Sequence, residues 1–385
     1  MYISEDIKYI GVNDYDIDLF EGQYPVPNGM AYNSYVIVDE KIAIMDSVDQ
    51  NFTDEWFNNI ENVLNGREPD YLIVHHMEPD HSANIKNFMD KYPTCKIVAS
   101  SMGFVMMKNY FGIDFSQRKI VVKEKDCLSL GKHTLHFIQA PNVHWPEVIM
   151  SYDDYDKVMF TADAFGKFGT LDIEEDWTCE ARRYYIGIVG RFGAHVQAVL
   201  KKLAAFDIQM ICSLHGPVLK ENLGYYINLY DIWSSYEPED EGVVIAYSSV
   251  YGNTKKAVEL LKKELELKNQ KVVLHDLARC EMFEAVEDAF RYSKLVLATT
   301  TYMGDIYPCM KEFIHHLLER NYTKRMVAFI ENGSWAPCAN KIMKSMMDTC
   351  KNLTYTDTSV SILGSLNDKN LEELDALAHE LSKEA

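Results

Sequence analysis

No apolar run in this chain approaches the roughly 18 residues needed to span a membrane as a helix. The opening Met1-Tyr2-Ile3-Ser4-Glu5-Asp6 also lacks the basic stretch that begins a secretory signal. A cytoplasmic protein with no membrane partner is therefore expected. The eight cysteines, Cys95, Cys127, Cys179, Cys212, Cys280, Cys309, Cys338 and Cys350, form no C-x-x-C pair. Neither a disulfide framework nor a rubredoxin-type or iron–sulfur site is indicated, and free thiols suit a reducing compartment. Positive charge is scarce as well. A formal net charge of −20 repels phosphate backbones, and the short clusters Lys255-Lys256 and Lys262-Lys263 read as solvated helix faces, so no nucleic-acid partner is expected. Finally, no G-x-x-x-x-G-K-[ST] is present and no G-x-G-x-x-G opens the C-terminal unit, which argues against a nucleotide triphosphatase or a dinucleotide fold.

What is present is enough chain for two domains: 385 residues, of which 47% are hydrophobic. The organising stretch is the apolar Tyr71-Leu72-Ile73-Val74 followed at once by His75-His76-Met77-Glu78-Pro79-Asp80-His81-Ser82. The spacing H-x-E-x-D-H places four metal-type ligands, His76, Glu78, Asp80 and His81, in six residues. Pro79 is expected to keep this loop from winding into a helix before Asp80. Further ligand-type residues close later strand-like runs. His144 follows Leu135-His136-Phe137-Ile138, Asp163 follows Val158-Met159-Phe160-Thr161-Ala162, and His215 follows Ile208-Gln209-Met210-Ile211-Cys212. His133, His136, His195, His275, His315, His316 and His379 read instead as ordinary hydrogen-bonded residues, and His75 is open between a supporting role and simple burial.

Before the loop, residues 35–38 and 42–45 read as a hairpin, and Phe52, Trp56, Ile60 and Val63/Leu64 as one helix face ending at Gly66. Strands are expected near 96–99, 120–122, 134–138, 148–152 and 157–162, and a helical stretch over 180–206. Its Arg182-Arg183-Tyr184-Tyr185 is either a supporting or partner contact or a plain helix face. The acidic Glu237-Pro238-Glu239-Asp240-Glu241-Gly242 reads as a separator, giving domains 1–240 and 241–385.

From Val243 strands and helices alternate, with strands at 243–247, 272–275, 295–298, 326–330 and 360–362. That is a doubly wound parallel sheet, whose ligand site lies beyond the carboxyl ends of its strands. The first such loop is Ser248-Ser249-Val250-Tyr251-Gly252-Asn253-Thr254, a hydroxyl-rich turn entering a helix, where amides and the helix dipole can hold a phosphate. The others carry Thr300, Thr301, Tyr302, Met303, Gly304 and Asp305, and then Asn332, Gly333, Ser334 and Trp335.

The loop His76 to His81, with His144, Asp163 and His215, resembles the dinuclear site of the metallo-β-lactamase fold in its flavodiiron variant. The zinc hydrolases of that fold carry H-x-H-x-D-H, whereas Glu78 stands here in place of the second His. Added carboxylate favours harder, higher-coordinate ions such as iron. The C-terminal loops, with Tyr302 and Trp335 able to flank a flat ring, resemble flavodoxin; the departure is Met303-Gly304-Asp305, where an Asn-Asn-Gly type turn is common.

The resemblance to flavodiiron proteins covers nearly the whole chain. It implies an αββα metallo-β-lactamase-like domain fused to a flavodoxin-like domain, together with FMN and two non-haem irons per chain. It implies reduction of dioxygen to water, of nitric oxide to nitrous oxide, or both, as protection for an anaerobe. By position, His76, Glu78 and His144 would hold one iron and Asp80, His81 and His215 the other, with Asp163 between them; Ser248 to Thr254, Thr300, Thr301, Tyr302, Gly304, Asn332, Gly333, Ser334 and Trp335 would hold FMN. The family implies a head-to-tail homodimer, with a dimer of dimers as a further option. Electrons are expected from a separate donor, rubredoxin or a reduced deazaflavin. The alternative is a zinc-dependent metallo-β-lactamase-type hydrolase with a flavodoxin-like domain attached.

Overall fold

The computed structural model describes residues 2–383, and the chain divides into two compact units, Met1–Asp231 and Ile232–Ala385. The first unit is built on two sheets. One has six strands in the order Ile7–Tyr9, Tyr35–Val38, Ile42–Met45, Tyr71–Ile73, Lys96–Ala99 and Lys119–Val121. The other has five, in the order Cys127–Ser129, Thr134–Gln139, Ile149–Asp153, Val158–Phe160 and Met210–Cys212. Their inner faces share one core, in which Ile37, Met45, Ile73 and Val98 meet Phe137, Ile149, Phe160 and Cys212. Val36, Ile44 and Leu72, the alternate residues of the central strands, are buried too. Strands buried on both faces read as the unbroken apolar runs seen in the sequence. Helices complete the αββα sandwich. Thr53–Leu64 buries Trp56, Ile60 and Leu64 and stops at Asn65, whose left-handed φ of 47° precedes Gly66.

Three differences from expectation have physical causes. Pro79 does not bar a helix but begins one: Pro79–Ser82 is a single helical turn with proline in its first position, where the missing N–H would have had no partner. The long helix over 180–206 is broken, running as Trp177–Tyr184, then a π-turn at Tyr185–Val189, a 3-10 turn at Gly190–Phe192 and a second α-helix at Gly193–Leu203. At the π-turn the Tyr24 hydroxyl donates to the Gly187 carbonyl at 2.8 Å, and a Cβ on Gly187 would lie 2.7 Å from the Tyr24 ring. Ordinary helical packing has no room there. Finally, the residues ahead of 35–38, for which no element is expected, contain Ile7–Tyr9, an edge strand of the first sheet, and the short pairs Val12–Asp14 with Met30–Tyr32 and Leu19–Phe20 with Tyr24–Pro25. Strands of two or three residues carry too little alternation to stand out.

In the second unit the parallel sheet has the order Val272–Asp276, Asp240–Tyr247, Tyr292–Tyr302, Met326–Asn332, followed by a last strand split into Thr354–Tyr355 and Val360–Ile362. This is the 2-1-3-4-5 winding of flavodoxin-like domains. The first strand begins at Asp240, so part of the acidic separator is sheet. Arg325, 3% exposed, donates to the carbonyls of Tyr292 at 2.8 Å and Tyr236 at 2.7 Å, and also to that of Phe290. No helix among the described residues is long and apolar enough to cross a membrane.

Candidate metal centre and flavin cradle

Every candidate metal ligand sits just past the carboxyl end of a strand in the first unit, so the two sheets deliver them to one rim. His76, Glu78, Asp80 and His81 follow Tyr71–Ile73, His144 follows Thr134–Gln139, Asp163 follows Val158–Phe160, and His215 follows Met210–Cys212. The seven fall into two groups. His76, Glu78, His144 and Asp163 offer ligand atoms within 4.8 Å of one another, and so do Asp80, His81 and His215. In the first, His144 Nε2 lies 2.8 Å from Asp163 Oδ2 and 3.1 Å from Glu78 Oε2, and His76 Nε2 lies 3.2 Å from each of those oxygens. Asp163 reaches the second group with its other oxygen, 3.6 Å from His215 Nε2.

Tautomers decide what this geometry wants. His81 Nδ1 faces the Ser47 carbonyl at 3.3 Å and His215 Nδ1 the Ala31 carbonyl at 2.8 Å. A carbonyl only accepts, so each Nδ1 carries a proton, and in the neutral ring each Nε2 presents a lone pair. Those two Nε2 atoms face each other at 3.1 Å. Two neutral rings so placed repel, which a metal ion held between them and a third donor would relieve, as does the proton on His215 that Asp80 and Asp163 favour. The third donor is Asp80, whose two buried carboxylate oxygens find no hydrogen-bond partner among the described residues; the same holds for Asp163 Oδ1. Orphaned buried acceptors and converging imidazoles fit a pair of metal ions.

Electrostatics point the same way. Burial opposes charge on His76, but Asp163, Glu147 and Glu78 outweigh it and hold the imidazole well above its ordinary value. His144 is likewise lifted against burial, by Asp163 and Glu78, to about 9. Burial raises Glu78 and Asp163, yet the imidazoles around them hold both well below the usual carboxylate range. Burial keeps His81 below its ordinary value, whereas Asp80 and Asp163 raise His215 in spite of it. Burial, then the charges of Asp163, Asp80 and Glu78, push the Tyr184 phenol well up, so it keeps its proton beside the carboxylates. Aromatic rings close the rim, with Phe20 5.4 Å and Tyr184 5.5 Å from His215, and Trp145 5.1 Å from His76.

Sequence reasoning missed two carboxylates that hold the ligands. Glu147, 3% exposed, accepts from His76 Nδ1 at 2.9 Å and from the Met77 amide at 2.8 Å, which turns His76 Nε2 toward the site. Asp46 accepts from the His75 amide at 2.7 Å and pairs with His75 Nδ1 at 2.5 Å. His75 Nε2 meets Ser151 Oγ at 2.7 Å, so both its nitrogens are engaged away from the cage. Asp46 ends the apolar strand Ile42–Met45, the same signal that exposed Asp163. Arg183 is no solvated face: it is 5% exposed, bonded to Glu180 at 2.6 Å and set 4.5 Å over the Phe168 ring.

In the second unit a cavity of ≈ 260 Å³ lies past the strand ends. Of the expected residues, Ser249, Val250, Tyr251, Asn253, Thr254, Thr300, Thr301, Tyr302, Asn332, Gly333, Ser334 and Trp335 line it. Ser248, Gly252 and Gly304 do not. The Ser248 hydroxyl is 2.6 Å from Thr299 Oγ1 beneath the loop, and Gly252 caps the helix Asn253–Leu267 at φ 88°. Gly304 and Met303, at φ 77° and 53°, form the two-residue turn of a tight hairpin that pairs Thr301 with Ile306 and Tyr302 with Asp305. Gly364, beyond the last strand, lines the cavity and was not foreseen; it exchanges two 3.1 Å bonds with Asn332. At the cavity floor the buried hydroxyls of Thr254 and Thr300 are unpartnered, beside a helix N-terminus whose first amides lack helical acceptors. Trp335 and Tyr251 stand 82% and 93% exposed at its mouth. A phosphate below and a flat ring between aromatics above fit this cradle.

Comparison with known proteins agrees with both halves. Residues 30–216 match the model of the ODP family beta lactamase, and residues 244–377 that of the flavodoxin domain. Diflavin flavoprotein A 1 of Synechocystis sp. is 30% identical over 77% of this chain and 52% of its own length, so the chain spans about half of that relative. A nitric oxide reductase of Moorella thermoacetica is 27% identical over 91% of this chain and 90% of its own length. Among solved structures, the rubredoxin oxygen:oxidoreductase of Desulfovibrio gigas superposes with a TM-score of 0.93 at 22% identity, covering 99% of this chain and 97% of its own. The flavodiiron protein of Giardia intestinalis superposes at 0.92 and 22% identity, covering 99% and 95%. At that identity the structural likeness is one of fold.

Proposed function

The chain belongs to the flavodiiron proteins, and from that premise we propose that it reduces dioxygen to water, nitric oxide to nitrous oxide, or both. Its cofactors are an FMN and two non-haem irons. The observation that carries this reading is the convergence of His81 and His215, whose Nε2 atoms lie 3.1 Å apart beside an Asp80 carboxylate with no hydrogen-bond partner among the described residues. His76, Glu78 and His144 would hold one iron and Asp80, His81 and His215 the other, with Asp163 shared by the two groups. Glu78 is the residue that favours iron over zinc, since it adds a hard oxygen donor where the hydrolases have imidazole.

When bound, the irons and the flavin together supply the four electrons that take dioxygen to two waters, or the two that take a pair of nitric oxide molecules to nitrous oxide and water. The chain's own groups do the rest. Glu147 holds the His76 ring in the tautomer that donates a lone pair. The aromatic rim of Phe20, Trp145 and Tyr184 limits water at the cage, and Tyr184 offers a protonated phenol next to it. In the second unit Thr254 and Thr300 would receive the flavin phosphate, and Tyr302 and Trp335 would flank the ring.

We take residues 1–240 as the metal domain and 241–385 as the flavin domain. The active form is a head-to-tail homodimer in the cytoplasm of an anaerobe, fed by a separate rubredoxin or deazaflavin donor; eight free cysteines suit that compartment. Elemental analysis of anaerobically purified protein tests the reading and should return about two irons and one FMN per chain. Zinc in their place, with activity on an ester or lactam, would sink it. Glu78→His should weaken iron retention while leaving flavin content unchanged.

A further inference from the structure

A third group of ligand-type side chains lies at the end of the sandwich remote from the metal rim. His133 immediately precedes the strand Thr134–Gln139, which runs toward His144, while Asp156 follows Ile149–Asp153, which runs the other way, and Asp6 leads into Ile7–Tyr9. Ligand atoms of Asp6, His133 and Asp156 lie within 4.8 Å of one another. We propose that these three side chains bind a divalent first-row cation, with zinc as the probe, and so staple the N-terminal segment to two turns of the second sheet.

Three observations carry the assignment independently of the rim chemistry. First, His133 is fully buried and its Nδ1 sits 3.0 Å from both oxygens of the fully buried Asp153. A carboxylate fixes the proton on Nδ1 and turns Nε2 toward Asp6, the same device by which Glu147 aims His76. Second, Asp156 Oδ2 is shut off from solvent and has no hydrogen-bond partner among the described residues, although its amide donates to Asp153 at 2.9 Å. A buried carboxylate oxygen without a donor is costly, and a cation satisfies it. Third, His133 Nε2 and Asp6 Oδ2 are 3.3 Å apart. That is long for a charge-assisted N–H···O bond, which runs about 2.7–2.9 Å. It matches the separation of about 3.3–3.5 Å between two ligands of a tetrahedral ion with bonds near 2.0–2.1 Å.

The occupant that competes for Asp6 is Lys132, whose ammonium pairs with Asp6 Oδ2 and lies 4.3 Å over the Tyr155 ring. Lys132 is 40% exposed, so it can swing outward when a divalent ion takes Asp6. Ion and ammonium exclude each other, which makes the charge on Lys132 a brake on metal uptake.

The test uses holoprotein carrying its iron and FMN. Zinc is titrated calorimetrically, and iron, zinc and flavin are counted per chain after dialysis. The expected result is about one zinc per chain with iron and flavin unchanged. Affinity should fall at least tenfold in His133→Gln and Asp156→Asn, and rise about tenfold in Lys132→Met. Asp156→Asn keeps the shape and gives up no existing side-chain bond, so it reports even if His133→Gln does not fold. Zinc uptake only at the expense of iron, equal uptake by Asp156→Asn, or none by the wild type would each overturn the assignment, leaving His133 as an imidazolium clamped between Asp153 and Asp6.

Discussion

Removing Glu147 isolates one link between the fold and the metal rim. Its Oε1 accepts from both His76 Nδ1 at 2.9 Å and the Met77 amide at 2.8 Å, and the side chain is 3% exposed. Glu147→Gln keeps a carbonyl oxygen for the imidazole but loses the charge that makes the ring a strong donor. Glu147→Ala loses both bonds and leaves the Met77 amide buried without an acceptor, a penalty of about 1–3 kcal/mol. Partners of metal-ligating histidines are worth roughly 10–100-fold in metal affinity, or about 1.4–2.7 kcal/mol. The glutamine should therefore cost about tenfold in iron affinity and the alanine about a hundredfold. The assay is anaerobic competition against a chelator of known strength, with iron read by elemental analysis, flavin by absorbance, and folding by thermal unfolding. Both variants should keep full flavin, because FMN belongs to the other unit. A folded Glu147→Ala protein that holds iron as tightly as the wild type would refute the argument that this bond orients a ligand.

Thr254→Val removes an unpartnered hydroxyl at the flavin cradle, and flavin affinity, measured by fluorescence on release, should fall about tenfold, the effect of one hydrogen bond to a charged group. His316, packed 4.8 Å from Phe283, is held below its ordinary value by burial and then by the Arg320 guanidinium. Unfolded chain therefore takes up a proton as pH falls through about 6.5 while folded chain does not, and stability is lost on acidification until the folded value is reached. His316→Gln should flatten that loss in urea unfolding between about pH 5 and 7 followed by flavin release. Co-expressing a chain carrying His144→Ala and Asp163→Ala with one carrying substitutions at Gly252 and Thr254 tests the head-to-tail dimer: mixed dimers should recover about half the wild-type rate, since one of two equivalent sites is intact. No recovery in well-formed mixed dimers would place electron transfer within a chain.

The candidate metal ligands were legible because carboxylates and imidazoles directly after apolar strands have few structural reasons to be there, and His76, Glu78, His144, Asp163 and His215 share that position. Asp46 carries the same signal at the end of Ile42–Met45 and was not singled out. Glu147 gives no such signal; its role depends on a turn that brings it back to His76, which spacing alone does not reveal. The flavin loops were legible from their hydroxyls, but a list of loop residues cannot separate those that line the cavity from Ser248, Gly252 and Gly304, which shape it from behind. Breaks such as the π-turn at Gly187 depend on Tyr24, more than a hundred and fifty residues away in sequence.

Placement of the candidate ligands at successive strand ends also sets the order in which the two groups are completed as the chain is made. The group His76, Glu78, His144 and Asp163 is complete in the nascent chain once Asp163 has emerged, whereas Asp80 and His81 wait for His215. His215 in turn is fixed only when Met210–Cys212 adds to Val158–Phe160 in parallel, the last strand to join its sheet. A chain ending between Asp163 and His215 would hold every side chain of the first group and lack one of the second. The facing pair His81 and His215 is the last part of the rim to be completed in chain order.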